Sequence, residues 1–378
     1  MRVFINTGIF AVLWIINLFN GTGLDYVYDV TQWGRRLVIF CTIFYIVIKY
    51  IKKKVLVVNK TDAYVYGAMF SVFIVSPFIN GYGFDGIDYL WVFCIIYILS
   101  KIELDDKSLF FIGLSYGVAG FVVLYIYNYG TVFKGWNENS IAMLGMYSFL
   151  MLLVPFFKEN KLKNKIILLV VTFIFSSLIS ATNSRSGTLF MFLGVLLAIN
   201  LLPRKIFNSS NFVIIFWLLV PLIVAIIVVV ISKTPIIKNL DSWSIDKFNK
   251  PIFNGRDILF QTGIDYILLH PLFGNGRLSF LNWHNSAIAC LVPFGIVGYT
   301  LWIMSFNKIL SKATDYLNDY LVVGCFTSFM VLYIQQTVEL GFISHSPNLL
   351  AYVMLGAMLG RIKFIKNRQM VNNTQPVL

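Results

Sequence analysis

Apolar and polar positions fall into long alternating blocks along this chain. Uninterrupted apolar runs occupy residues 3–19, 33–51, 62–80, 84–100, 108–127, 140–157, 165–182, 186–202, 212–232, 285–304, 319–337 and 345–360. A bilayer core about 30 Å thick takes about 20 helical residues to cross. The pattern therefore predicts about twelve transmembrane helices, of which 33–51 carries Arg35 and Arg36 near one end and 345–360 is short. The runs lack the period-two alternation of barrel strands, and backbone in lipid must satisfy its own hydrogen bonds, so the expected fold class is all-α. The run after Arg2 has no convincing small-residue cleavage site and reads as a retained first span rather than a signal peptide. No internal repeat or low-complexity segment breaks the series, so residues 1–378 read as a single transmembrane domain.

One connection departs from the short loops elsewhere. Residues 233–283 are polar and too long for a simple link, and such a loop is either functional or disordered. A helix signature favours the first. Asn254 can cap it, and Leu259, Phe260, Ile264, Ile267 and Leu268 form an apolar stripe. Asp257, Gln261 and Asp265 lie opposite, and Pro271 ends the pattern. This short amphipathic helix should lie on something apolar, either the membrane surface or the helical bundle.

Composition sharpens the class. Hydrophobic residues make up 58% of the chain, with 35 Phe and 20 Tyr, and charged residues only 12%. A soluble domain carries about a quarter charged residues, which excludes a soluble enzyme. The net charge of +13 does not form a basic face for nucleic acid; it sits in short loops between apolar runs. With the N-terminus cytoplasmic, Lys49, Lys52, Lys53, Lys54, Lys60, Lys158, Lys161, Lys163 and Lys165 lie inside. Arg204, Lys205, Lys308, Lys312, Arg361, Lys363, Lys366 and Arg368 join them. The short outer loops hold Arg35, Arg36, Lys134 and Arg185, so both termini are expected to be cytoplasmic and 233–283 outside. Cys41, Cys94, Cys290 and Cys325 fall inside apolar runs without metal-ligand spacing and read as small apolar fillers.

Three side chains on the outer side invite chemistry. Arg185, in Asn183-Ser184-Arg185-Ser186-Gly187, sits at a hinge between two spans; it is either an anion-binding group or an interfacial anchor. Arg256 stands in the first turn of the loop helix, where a cation opposes the helix dipole. That placement makes sense if an anion binds there, the alternative being a salt bridge to Asp257 or another loop carboxylate. His284, in Asn282-Trp283-His284-Asn285 at the start of the tenth span, is either a proton-transfer group or an interfacial cap. His270 reads as a helix-terminal residue, and His345 as a cap of the last span. The outer carboxylates Asp25, Asp29, Asp85, Asp88 and Glu138 are scattered, so no metal site is expected, and no Walker loop implies a nucleotide.

The order of several short motifs carries more than any one of them. Ser184-Arg185-Ser186-Gly187, Gly255-Arg256-Asp257, His270-Pro271-Leu272-Phe273-Gly274-Asn275-Gly276, His284-Asn285 and Phe294-Gly295-Ile296-Val297-Gly298 occur in that sequence. Together they resemble the O-antigen polymerase and O-antigen ligase superfamily of bacterial polysaccharide assembly. Asn137-Glu138-Asn139-Ser140 resembles that family's Asn-Pro-Asn segment, with Glu138 in place of proline. The resemblance spans residues 137 to 304 and hardly touches the first 130.

It implies an enzyme whose fold resembles lipid-dependent, GT-C-like glycosyltransferases, with one large extracytoplasmic loop, in the bacterial inner membrane. It further implies no cofactor and no metal, with undecaprenyl-diphosphate-linked glycans as donor and acceptor. By the same resemblance Arg185 and Arg256 would hold the departing diphosphate, and His284 would orient or deprotonate the acceptor hydroxyl. Asn139, Asn285 and Arg277 complete the expected substrate-binding set. Residues 257–283, a compact stretch between Arg256 and His284, look more like the polymerases than the ligases that move finished glycan to lipid A-core. A chain-length regulator and a flippase are the expected protein partners. A secondary transporter is the reading of another class, but transporters carry inverted repeats and charged, broken helices at the midplane, and neither is found here.

Overall fold

The computed structural model describes residues 1–20, 25–54, 58–131, 136–158, 162–248, 251–277, 282–339, 341–342 and 349–374. Its helices are α1 (Arg2–Asn20), α2 (Asp25–Lys53), α3 (Lys60–Ile79), α4 (Trp91–Leu99), α5 (Asp106–Tyr129), α6 (Glu138–Leu153), α7 (Leu162–Ser180) and α8 (Arg185–Ala198). They continue with α9 (Lys205–Asn208), α10 (Asn211–Ser232), α11 (Pro235–Phe248), α12 (Arg256–Leu269), α13 (Ser286–Ser311), α14 (Tyr320–Gln335) and α15 (Leu349–Thr374). No strand occurs among the described residues.

Helix occupies every one of the twelve apolar runs, yet fewer meet the length and composition needed to cross a membrane. Among the described residues six do: Lys60–Ile79, Asp106–Tyr129, Glu138–Phe157, Lys163–Ser180, Asn211–Ser232 and Ser286–Tyr316. Arg2–Leu18, Gly86–Leu99, Arg185–Ala198 and Tyr320–Gln335 are apolar but shorter. The architecture is that of a multi-pass membrane protein, and the count of twelve spans goes beyond what these lengths give. Large apolar side chains such as Phe4, Phe40, Phe110, Val118, Phe173, Phe216 and Ile226 are exposed around the periphery. A soluble protein could not present so much apolar surface; lipid is its natural solvent.

Local sequence explains where the helices start. Asn59, Asp105, Asn137, Ser184, Ser210, Asn285 and Asp319 each accept hydrogen bonds from first-turn amides of the helix that follows. The tightest helix pair, α5 and α6, meets through Gly113, Gly117 and Gly120. A Cβ on these would strike Met151, Leu152 and Ser148, respectively. Small residues let helices approach where no hydrophobic force drives them together. Ion pairs close one end of the bundle: Asp62 with Lys308 (3.1 Å) and Lys312 (2.7 Å), and Arg361 with Asp319 and Asp106 (2.7 Å each).

Several expectations are corrected here. Arg35 and Arg36 do not lie in a short loop: α2 begins ten residues earlier, at Asp25, and carries both. Arg35 is buried beside the Trp91 ring, and Arg36 pairs with Asp88 at 3.3 Å. Among the described residues of 233–283 there are two helices, α11 as well as the expected α12. Gly255, in the left-handed region at φ 80°, takes the cap position of α12 in place of Asn254. Phe260 is buried and Leu259, Ile264 and Ile267 are half-buried, but Leu268 is exposed. The helix packs on α10 and α13 rather than lying free on a membrane surface, and Gly263 makes this possible. A Cβ there would meet Ile288 at 2.4 Å and the Trp283 ring at 3.3 Å. His270 caps the C-terminus of α12, while the segment around His345 lies outside the described residues.

Two breaks in the spans shape the interior. In α13, Gly295 adopts φ 65°, ψ −170° and divides Ser286–Phe294 from Ile296–Ser311. The backbone groups freed by this break bond to residues 271–276. Asn275 and Gly276 amides donate to the Val292 and Pro293 carbonyls, and the Ile296 and Val297 amides donate to Pro271 and Leu272. Ser76 of α3 adds a hydroxyl bond to the Pro293 carbonyl at 2.8 Å. Thus the two glycine motifs of the sequence form one lock, with four backbone bonds made across the break. In α10, Pro221 interrupts the ladder, and the Tyr333 hydroxyl donates to the Leu218 carbonyl at 2.8 Å.

Candidate active site

The site residues arrive on the first turns of three helices. Arg185 and Ser186 open α8, Arg256 opens α12, and His284 stands two residues before α13. Each start follows a residue in the left-handed region: Asn183 (φ 59°), Asn254 (φ 51°) with Gly255, and His284 itself (φ 47°). Such turns fold the incoming chain sharply onto the helix, and a left-handed non-glycine residue at a site is a mark of imposed geometry.

These starts converge on one carboxylate, Glu339, which follows α14 and is only 3% exposed. Its Oε1 accepts from Arg256 Nη2 at 2.9 Å and from Ser186 Oγ at 3.1 Å. His284 Nδ1 lies 3.5 Å from Oε2, an ion-pair distance when the ring is protonated, without hydrogen-bond geometry. Burial of a charge requires compensation. Here it comes from the Arg256 guanidinium and the Ser186 hydroxyl. The arrangement sets a guanidinium, a hydroxyl and an imidazole around one buried carboxylate.

A buried polar network fixes the Glu339 segment. The Ser286 amide donates to the Gln336 carbonyl at 3.1 Å, and Gln336 Nε2 donates to the Tyr147 hydroxyl at 2.9 Å. Gln336 Oε1 accepts from the Phe342 amide at 3.0 Å. These bonds tie the start of α13, α6 and the segment after α14 to one another.

The expected site residues divide into three groups. Arg256 and His284 meet at Glu339, and Arg185 stands next to Ser186 on the same turn. Arg185 is exposed and borders a cavity of about 850 Å³ that Ser180, Asn183, Thr188, Leu189 and Phe192 also line. Asn139 is half-buried in the first turn of α6. One turn further on, Ala142 packs where a Cβ on Gly187 of α8 would touch it, so Asn139 shares this end of the bundle. Asn285 and Arg277 take other places. Asn285 is wholly buried: its Oδ1 caps α13 and its Nδ2 donates to the Pro221 (2.8 Å) and Thr337 (3.1 Å) carbonyls. Asn285, expected to bind substrate, pins α13 to the Glu339 segment through these bonds. Arg277 is exposed at the end of the lock between residues 271–276 and α13, beside α3.

Arg256 pairs with a carboxylate, as the salt-bridge reading expects, but the partner is Glu339 rather than Asp257 or another loop carboxylate. That carboxylate escaped the sequence analysis. Glu339 lies two residues beyond an apolar run, and an ionisable group at such a boundary is the signal that could have found it. Among the described residues no group of three His, Cys, Asp or Glu side chains gathers as a metal cage. Cys94, Cys290 and Cys325 are buried and Cys41 is exposed, all as free thiols.

Residues 169–303 match the family model described as O-antigen ligase. A comparison with curated proteins finds no match. The matched stretch contains Arg185, Ser186, Arg256 and His284, while Asn139 and Glu339 fall outside it. This match bears out, across residues 169–303, the resemblance of the chain to the O-antigen ligase and polymerase superfamily.

Proposed function

We propose that the protein polymerises undecaprenyl-diphosphate-linked oligosaccharide units into a surface polysaccharide, such as O-antigen, capsule or exopolysaccharide. The observation that carries this reading is the convergence of Arg256, Ser186 and His284 on Glu339, with Arg185 next to Ser186 in the first turn of α8. An acceptor hydroxyl attacks the anomeric carbon of the donor, and the bond from that carbon to the diphosphate breaks. Arg185 and the part of the Arg256 fork not facing Glu339 meet the charge on the departing diphosphate. His284 takes the hydroxyl proton on Nε2, with Nδ1 towards Glu339. In this reading no metal takes part, and the site faces the extracytoplasmic side of the bacterial inner membrane with both termini in the cytoplasm. All twelve apolar runs then cross the bilayer, and a chain-length regulator and a flippase act alongside.

The alternative within the same family is a ligase that transfers finished glycan to lipid A-core. The surface glycan of a deletion strain separates the two. Core capped with single repeat units supports polymerase, whereas naked core with free polymer shows a ligase. An unchanged glycan overturns both.

A further inference from the structure

A second site lies at the opposite, lysine-rich end of the bundle. Although α2 and α3 are consecutive, α2 packs on α4 rather than along α3. The resulting crevice, about 500 Å³, is lined by Ile46 of α2, Gly67 and Phe70 of α3, Cys94 of α4 and Leu359 of α15. This volume suits a ligand, and its walls suit hydrocarbon. Asp62, Lys101 and Lys312 stand at its polar end.

Charge at that end is unbalanced. Asp62 is shared by Lys308 at 3.1 Å and Lys312 at 2.7 Å. Lys363 Nζ donates to the Lys101 carbonyl, and Lys101 Nζ sits 4.4 Å from the Tyr97 ring centre. The Lys101 ammonium is held below the usual lysine range by burial first, then by the nearby charges of Lys363 and Lys312. Counting the neighbouring Arg2 with Glu103 and Asp105, five cations face three carboxylates. An apolar crevice ending in excess ammonium groups is complementary to a lipid with a charged phosphate.

We propose that this crevice binds one anionic glycerophospholipid, an acyl chain lying along Gly67 and Phe70 and the phosphate resting on Lys101 and Lys312. The site is separate from the Glu339 cluster and does not depend on the proposed reaction.

The test is native mass spectrometry of the full-length protein in detergent, with phosphatidylglycerol or phosphatidylcholine added. One phosphatidylglycerol should be retained in preference to phosphatidylcholine. Lys101→Gln with Lys312→Gln should weaken it about thirtyfold, at about fivefold per lysine. Lys308 still pairs with Asp62 in that variant, so the helix contact persists. Gly67→Leu probes the cavity alone, because a Cβ at Gly67 meets nothing within 4 Å and the new side chain enters the crevice. It should block the lipid while leaving every lysine in place and the melting temperature at or above that of the parent. Equal retention of both lipids overturns the proposal, as does parental binding by both variants. Competition by glycerophosphoglycerol as effective as that by the intact lipid also overturns it, since the acyl chain would then contribute nothing.

Discussion

Replacing Glu339 by glutamine tests the electrostatic logic of the site most directly. The carboxylate is 3% exposed and bonds Arg256 at 2.9 Å, while the Arg256 side chain keeps 21% of its surface. Removing one partner of a fully buried pair costs about 3–5 kcal/mol. Arg256 can rehydrate in part, and glutamine keeps an acceptor for the guanidinium and for Ser186, so the expected loss falls to about 2 kcal/mol. Glu339→Gln, Arg256→Gln and the double variant complete a cycle, read by unfolding in mixed SDS micelles through tryptophan fluorescence. Trp283 is buried beside Gly263 of α12 and provides a local reporter. The coupling between the two sites should be about 1–2 kcal/mol, because either single change leaves the other charge without its partner. Additivity within about 0.5 kcal/mol would refute the reasoning: the carboxylate would then be compensated by something other than Arg256.

Four further outcomes are expected. His284→Ala should lower polymerisation per folded molecule by about two to four orders of magnitude with donor binding retained, and His284→Gln separates orientation from proton transfer. Parental chain growth by His284→Ala excludes the catalytic role. Activity on lipid-linked units should survive excess EDTA, and Arg256→Lys should be severely impaired because an ammonium cannot replace a bidentate fork; rescue by added magnesium would count against the arginine roles. Gly295→Ala should destabilise the protein by about 3 kcal/mol or more, since the backbone angle favours glycine and the Cβ would lie 2.3 Å from Leu272 backbone atoms; a melting temperature equal to the parent's would show that the lock is dispensable. In intact cells, a single cysteine at position 246 should react with an impermeant maleimide and one at 161 should not, and the reverse pattern inverts the proposed topology.

Sequence reached the helices more surely than the site. Apolar runs announce helix because lipid leaves the backbone no other option, and each run is indeed helical. Charge placement misleads where a side chain finds a partner inside: Arg35 and Arg36 looked like loop residues but lie within α2, against Trp91 and Asp88. The start of α12 was legible from its amphipathic stripe, but whether Asn254 or Gly255 takes the cap depends on backbone angles that no spacing reveals. Arg185, Arg256 and His284 stood out because each is costly at the end of an apolar run or at a helix start. Glu339 did not. Its partners come from connections far away in sequence, and only the packing of α8, α12, α13 and α14 brings them to it. The structural bonds of Asn285 were equally out of reach, since its Pro221 and Thr337 partners lie far away in sequence.

That dependence on α14 has a bearing on biogenesis. The part of α13 before Gly295, Ser286–Phe294, is too short to cross a bilayer alone, and its freed backbone groups are matched by residues made earlier, 271–276 and Ser76. So the lock can close as soon as α13 leaves the ribosome. Glu339 and Gln336 emerge later, and until then Arg256 and Ser186 lack the carboxylate they bind. A nascent chain ending after α13 would hold this frame around an electrostatically unfinished centre, and α14 with the Glu339 that follows it completes the balance.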